Sequence, residues 1–396
     1  MKAFSGKLNV GIIGSGGRGA ALGAIIHSLR QKARVVACCD NDLDVLDRNK
    51  LTYGTNIFTT SDYRELLERV LDAVIIATPD YLHEKHAITA LSRGFSVYLE
   101  KPMAITVAGC DRVLQQAAKS NCRLYLGHNM RHMPFVRKMK SLIATGAIGE
   151  VKACWVRHFV GNGGDYYFRD WHAERRYSTG LLLQKAAHDI DIIHWLCGGY
   201  SRLVNAMGGL TVYGGVTARL PALPGPRKIA LPHRRPEIWP PSKQHGLNNI
   251  IDVEDLSMIQ MRLDNGVFAQ YSQCHYTPDY WRSYVVIGTE GRIENFGNGE
   301  KGTCVRLWNT RKRGYDGCGD RTYTFAVRRG GHDGADGKTV SEFLRFARDG
   351  GSTDTSPLAA RESVAAAVTA TASLRAGGIP LKVPKASASV VRFFQP

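Results

Sequence analysis

The chain has no stretch reaching the roughly 18 consecutive apolar residues of a membrane-spanning helix, so no membrane span is expected. Its nine cysteines, at 38, 39, 110, 122, 154, 197, 274, 304 and 318, include no Cys-x-x-Cys pair. An odd number of thiols, several inside apolar strand or helix patterns, reads as free cysteine. It argues against a disulfide framework and lends no support to cysteine-ligated zinc, so no metal is expected. The opening segment lacks the charged, apolar and small-residue succession of a secretory signal, and a cytoplasmic location is expected. Zinc-finger, RRM and basic-zipper patterns are missing too, as are internal repeats. The formal net charge is +17, from 52 Lys and Arg against 35 Asp and Glu. These basic residues are scattered, with local clusters at 226–236 and 311–314. The charge therefore reads as solubility or attraction of anionic small molecules, and neither nucleic acid nor a membrane is an expected partner.

What is present fits two domains, since 396 residues exceed one ordinary hydrophobic core. Over residues 1–128 short apolar runs alternate with helical patterns: 8–14, 34–40, 72–79, 95–102 and 123–128 are the strands. Continuous apolar strands separated by helices predict a doubly wound parallel sheet covered on both faces. Residues 129–396 change character. Strands are expected over 150–161 and then in a series of hairpins, one turning at Asp264-Asn265-Gly266. This predicts an α+β domain with a large, mostly antiparallel sheet. Residues 216–248, rich in Pro, Lys and Arg, read as a long loop or flap, and two helices close the chain.

"GSGGRG" at 14–19 has Gly14, Gly16 and Gly19 at the fixed positions of G-x-G-x-x-G. It follows a strand and opens a helix in the first βαβ unit. There Gly14 permits a tight turn, Gly16 a close approach of a pyrophosphate, and Gly19 tight helix–strand packing. Gly17 and Arg18 complete the candidate loop, whose following helix turns its amides toward phosphate. Asp40, with Asn41 beside it, ends the second strand and is placed to accept hydrogen bonds from an adenosine ribose. NAD is the expected cofactor; Arg48, close in sequence, keeps NADP as the lesser alternative.

"VYLEKP" puts Glu100, Lys101 and Pro102 at the C-terminal end of a buried strand, the edge where open α/β sheets bind ligands. Together with "GSGGRG", "ATPDYLHEKHAITALSRGFSVYLEKPMA" and "GHNMRHMPFVRKMKSLIATGAIGEV", this motif resembles the Gfo/Idh/MocA oxidoreductases over most of the chain. The resemblance implies a Rossmann domain followed by an open-faced sheet domain that often mediates oligomers, hence a homodimer or homotetramer. It also implies NAD(P)-dependent oxidation of a secondary alcohol in a sugar, cyclitol or related polyol. By position Lys101 matches the family's active-site lysine, His83 a histidine near the nicotinamide, and Thr78 and Pro79 line the cofactor with Glu100. A lysine or histidine can hold the proton that leaves the hydroxyl, and a charged lysine stabilises the developing alkoxide.

In "GLLLQKAAHDIDIIHWL" (180–196) a continuous helix would gather Gln184, Lys185, His188 and Asp191 on one side, opposite Leu182, Ala186, Ile190, Ile193 and Leu196. His188 matches the histidine of the family's Asp-x-x-x-His, but this chain carries Gln184 at the aspartate position, which cannot titrate. His188 is expected as acid/base or orienting donor, with Lys185 contacting substrate and Asp189 as a further polar contact. Upstream, Tyr166, Tyr167, Arg169, Trp171 and His172 suit the walls of a sugar site, and His332 lies in a glycine-rich turn that could reach it. Two alternatives stay open: a redox-neutral, NAD-dependent glycosidase or lyase working through a transient keto-sugar, and a non-catalytic NAD or sugar sensor.

Overall fold

A computed structural model of the chain describes residues 6–161, 163–223, 225–226, 238–328 and 330–395. The chain divides into two compact units, the first formed by 1–132, 330–361 and 386–396, the second by 133–329 and 362–385. The first segment of the first unit ends at residue 132, against an expected boundary at 128. The rest of the chain is not one continuous domain, because two later segments return to the first unit.

In the first unit six parallel strands, β1 (Leu8–Ile13), β2 (Ala33–Cys39), β3 (Phe58–Thr60), β4 (Ala73–Ile76), β5 (Ser96–Leu99) and β6 (Leu124–Leu126), pair in the order β3-β2-β1-β4-β5-β6. This is the doubly wound Rossmann arrangement, and its strand order reverses between β1 and β4, where such sheets bind ligands. β4 and β5 are buried at every position, as both-face coverage requires. Strand β3 was not expected; three residues are too short to form a pattern. The returning segments are held by aromatic packing and by charge. Phe343, from the helix Ala335–Asp349, packs in the core with Tyr98 and Tyr125, their ring centroids 5.4 and 5.8 Å away. The Arg361 guanidinium donates to Asp111 at 2.8 Å. Neither tie leaves a periodic signal in the sequence.

The second unit carries a nine-stranded sheet. Its strands are β7 (Val151–Val160), β8 (Ser201–Gly209), β9 (Leu256–Leu263), β10 (Phe268–Cys274), β11 (Tyr280–Gly288), β12 (Arg292–Phe296), β13 (Cys304–Trp308), β14 (Arg321–Thr324) and β15 (Leu381–Lys382). They run in the order β14-β13-β12-β11-β7-β10-β9-β8-β15, and only β7 and β10 pair in parallel. The turn at Asp264–Gly266 closes the β9–β10 hairpin, with the Leu263 amide donating to Val267 at 2.9 Å. Alternation along β7 buries Cys154, Val156, His158 and Val160. The opposite face leaves Trp155, Met207, Met258 and Phe268 exposed.

The helix expected over 180–196 differs from its expected form. It is split into Leu181–Gln184 and Ala186–Cys197, with Lys185 at the break. Its polar side is not wet: His188, Asp189 and Asp191 are 7, 0 and 1% exposed. The periodicity separated polar from apolar residues correctly, but both sides are covered. Of the expected 216–248 loop, Arg219 bridges to Leu247 and both Val216 and Leu247 are buried; residues 227–237 lie outside the described residues.

Candidate functional site

The glycine loop is built by close approach. Gly14 has φ +81°, and a Cβ there would lie 2.7 Å from the backbone of Ala77 and Thr78 at the end of β4. A Cβ on Gly19 would lie 2.0 Å from the Gly14 carbonyl oxygen, so the helix Gly17–Ser28 can start only this close to the turn with glycine at 19. Gly16 caps that helix without a side-chain hydrogen bond, no acidic residue stands in its first turn, and a Cβ on Gly17 would meet nothing. Unfilled amides at a helix start attract anionic oxygen. Asp40, 7% exposed at the end of β2, accepts from the Gly16 amide at 3.0 Å and from the Asp42 amide at 3.2 Å. Asn41 is exposed beside it. Loop, bare helix start and carboxylate fit a nicotinamide dinucleotide.

Arg18 leaves this loop inward and closes a clasp within the first unit. Its Nε donates to Glu100 at 2.7 Å, and its two terminal nitrogens donate to Asp336 at 2.8 and 3.0 Å. Burial works against ionising Glu100, but Arg18 outweighs it and holds the carboxyl below its usual range. Asp336 is likewise lowered against its burial, by His332 and Arg18. Arg18 and Glu100, both expected beside a cofactor, are thus fastened to each other and, through Arg18, to Asp336. His332 belongs to the first unit, where its Nδ1 lies 2.9 Å from the Asn129 amide nitrogen and 3.3 Å from Asp336. Asn129 and Asp336, unremarked in the sequence, complete this clasp at 2.6 Å.

His83, 1% exposed, points both ring nitrogens at backbone carbonyls, Nε2 at Thr78 (2.8 Å) and Nδ1 at Pro102 (2.6 Å). It therefore ties the loop after β4 to the loop after β5, where Pro79 and Lys101 sit, and is a support for these loops more than a surface. Lys101 is half-buried, and its backbone amide donates to Glu100 at 3.1 Å. Elsewhere in this unit His132, Glu342 and Asp354 approach one another within 4.8 Å. Glu342 already accepts from the Tyr125 hydroxyl at 2.8 Å and the Asp354 amide at 2.9 Å, and the group reads as a salt-linked tie.

In the second unit Lys185 lies over the rings of Tyr167 and Tyr280, 5.6 Å from each centroid. Tyr167 in turn meets His172 and His275 edge-on at 5.4 and 5.3 Å. Trp171 stacks on His172 at 3.7 Å. Arg169 donates to the Gly164 carbonyl and, at 3.0 Å, to Gln244, tying loop to loop. So Lys185, Tyr167, Trp171 and His172 gather in the second unit.

Asp189 does not join that wall. Its carboxylate faces Arg282 at 3.1 Å and His158 at 3.2 Å, and accepts from the hydroxyls of Tyr271 and Tyr284. Burial opposes its ionisation, while Arg282 and His158 hold the carboxyl well below its usual range. Its expected substrate contact is replaced by a buried fastening of helix to sheet. Burial and Arg282 also push His158 down to about 3, so that ring stays neutral.

Comparison with known proteins gives this architecture its place. A model of the oxidoreductase family with an NAD-binding Rossmann fold matches residues 8–128, and one of the GFO/IDH/MocA C-terminal domain matches 136–294. The chain belongs to the Gfo/Idh/MocA oxidoreductase family. Among its relatives, the oxidoreductase YteT of Bacillus subtilis is 28% identical over 57% of this chain and 60% of its own length. A 2,7-anhydro-N-acetylneuraminate hydratase of Mediterraneibacter gnavus is 31% identical over 52% of this chain and 53% of its own. Glucose-6-phosphate 3-dehydrogenase of Bacillus subtilis is 29% identical over 47 and 53%. The chain thus spans little more than half the length of the curated relatives it matches. A solved levoglucosan dehydrogenase, in complex with NADH and L-sorbose, shares the fold at TM-score 0.78 and 20% identity, over 96% of this chain and all of that one. No helix among the described residues is long and apolar enough to cross a membrane.

Proposed function

We propose that the chain is an NAD-dependent dehydrogenase that oxidises a secondary alcohol of a sugar, cyclitol or glycoside. The observation that carries this reading is the bare glycine cradle closed by the Asp40 carboxylate, with Lys101 leaving β5 in the same unit. NAD, when bound, supplies the hydride acceptor. Gly14, Gly16, Gly17 and Gly19 admit the pyrophosphate to the helix amides. Asp40 accepts from ribose hydroxyls and repels a 2′-phosphate, which favours NAD over NADP. Thr78 and Pro79, held by His83, form a wall for the nicotinamide. Lys101 stabilises the alkoxide that develops as hydride leaves, and Lys185 and His188 orient the hydroxyls. The exposed Trp155, Met207, Met258 and Phe268 on the open sheet face support self-association as a homodimer or homotetramer.

A panel of cyclitols, monosaccharides and glycosides, followed by NADH absorbance, tests the reading. At least one member is expected to yield NADH with the native chain, and K101A is expected to keep NAD affinity while losing turnover. Wild-type turnover in K101A would remove the lysine from the mechanism. The redox-neutral alternative is favoured by one observation, the relative named as a hydratase. It predicts glycoside cleavage with tightly retained NAD and no net NADH.

A further inference from the structure

The two contacts of His83 set a condition on its charge. Its ring is 1% exposed, with Nδ1 2.6 Å from the Pro102 carbonyl oxygen and Nε2 2.8 Å from that of Thr78. A carbonyl oxygen only accepts, and a neutral imidazole has one N–H and one lone pair. A neutral ring would therefore turn its lone pair on one of these oxygens and leave that buried carbonyl unsatisfied. Only the imidazolium donates to both. Burial opposes a positive charge here, and so does the first position of the helix His83–Ser92. Two short hydrogen bonds from a charged donor favour it. No carboxylate pairs with the ring among the described residues, and the adjacent Glu84 accepts from Arg112 at 2.6 Å. One turn along the helix, His86 brings Nδ1 to 3.2 Å from the Thr78 hydroxyl oxygen. Burial and then His83 push His86 down to about 4, so it is the neutral member of the pair. Thr78 is thus held at its carbonyl by one imidazole and at its hydroxyl by the other.

We infer that His83 is a built-in imidazolium, a buried cation that positions the turn carrying Lys101 and Pro102 against the turn carrying Thr78 and Pro79. It also gives the edge between these turns a positive charge. The inference rests on the dinucleotide reading above, in which Thr78 and Pro79 form a wall for the nicotinamide. The oxidised nicotinamide ring is positively charged and the reduced ring is neutral. A cation behind that wall therefore weakens binding of NAD relative to NADH and favours hydride acceptance. His83 exchanges no proton with substrate; it is a positioning residue that acts through two carbonyls and through its charge.

Two measurements test the inference. Ring-¹⁵N spectra of the wild type at neutral pH, with the His83 signals identified by their loss in H83Q or H83K, should show both nitrogens protonated. One protonated and one bare nitrogen would overturn the assignment. Calorimetric titration with NAD and with NADH then reads the charge. H83Q is uncharged, and its ratio of NAD Kd to NADH Kd should fall by about threefold or more from the wild-type ratio. H83K keeps a positive charge with three donors and should hold the wild-type ratio. Loosened turns alone would weaken both forms alike, so an unchanged ratio in H83Q would overturn the electrostatic role. A wild type that binds neither form would overturn the dinucleotide reading instead, and the ring spectra would still decide the charge of His83.

Discussion

Arg18 and Arg282 are both fastened to buried carboxylates, but in opposite styles. Arg282 is 3% exposed and lies against one carboxylate, Asp189, which is shared with a neutral imidazole and two tyrosine hydroxyls. Arg18 keeps a side chain 27% exposed and forks between two carboxylates, joining the glycine loop, the end of β5 and the start of the helix Ala335–Asp349. The first is a closed ion pair sealed under a helix, where removing one partner strands the other in low dielectric. The second is an open clasp beside a cofactor cradle, where water can share the load. Burial of charge thus fixes one unit, while the other uses charge to hold a loop that a ligand has to meet.

The comparison breaks most easily at Asp189. D189A should destabilise the chain by about 3–5 kcal/mol, the usual result of orphaning a buried charge. The double variant D189L/R282M should recover much of that loss. Thermal unfolding of the single and double variants checks both, and a single-variant loss under about 1 kcal/mol would mean that Asp189 is not the fastening.

Acid should separate the two units next. His158 is pushed down to about 3 and His275 also well below its usual range, burial being the first cause in each. In the first unit His86 is lowered to about 4 by burial and then by His83. A folded-state value below the unfolded value of about 6.5 means that the unfolded chain binds more protons as pH falls. The stability these rings contribute is complete above about pH 6.5 and is lost as pH drops toward the folded value. At pH 5 the neutral His158 and His86 rings each amount to about 2 kcal/mol. Of these rings, His158 and His275 lie in the second unit and His86 in the first, so the second unit should loosen more between pH 7 and 5. The lowered carboxyls Glu100 and Asp336 add nothing in that window, because their contribution is lost only below about pH 4. Amide hydrogen exchange resolved by segment would show β7, β10 and β11 opening first; equal opening of β1–β6 would contradict the histidine account.

Loss of Arg18 should matter less. R18M leaves Glu100 and Asp336 facing each other, yet Asn129 and His332 still engage Asp336. With solvent access discounting the pair, about 2 kcal/mol is expected, with weaker NAD binding as the loop loosens. Calorimetric titration with NAD and a thermal scan would separate the two effects. Unchanged NAD affinity would make the clasp purely structural.

How much of this could be read from the sequence follows from the range of the forces involved. The β1 strand and the glycine loop are consecutive along the chain, Asp40 follows at the end of the next strand, and each obeys a local rule, so their placement was legible. His158 was half legible: the alternation of β7 sets it inward with Cys154 and Val156, which marks a buried polar ring before its partner is known. Asp189 was misjudged because the residue that claims it, Arg282, comes from β11 far along the chain. The partners of His332 were not legible, because nothing local announces that residues 330–361 return to the first unit.

The finest distinction lies within the cradle, between two glycines of the same motif. At Gly19 an added methyl would overlap a backbone oxygen at 2.0 Å, and backbone cannot step aside, so G19A should fail to reach the native loop. At Gly16 φ is −79°, within the range of any residue, and the nearest obstacle is the Asp40 carboxylate at 3.3 Å. A shift of a few tenths of an ångström accommodates that methyl, so G16A should fold with a stability change of under about 1 kcal/mol. The methyl would nevertheless lie where pyrophosphate must approach the backbone, and NAD affinity should fall by about tenfold or more. A G16A chain that binds NAD as wild type does would show that the cradle admits the cofactor from another side, and the role of Asp40 would have to move with it.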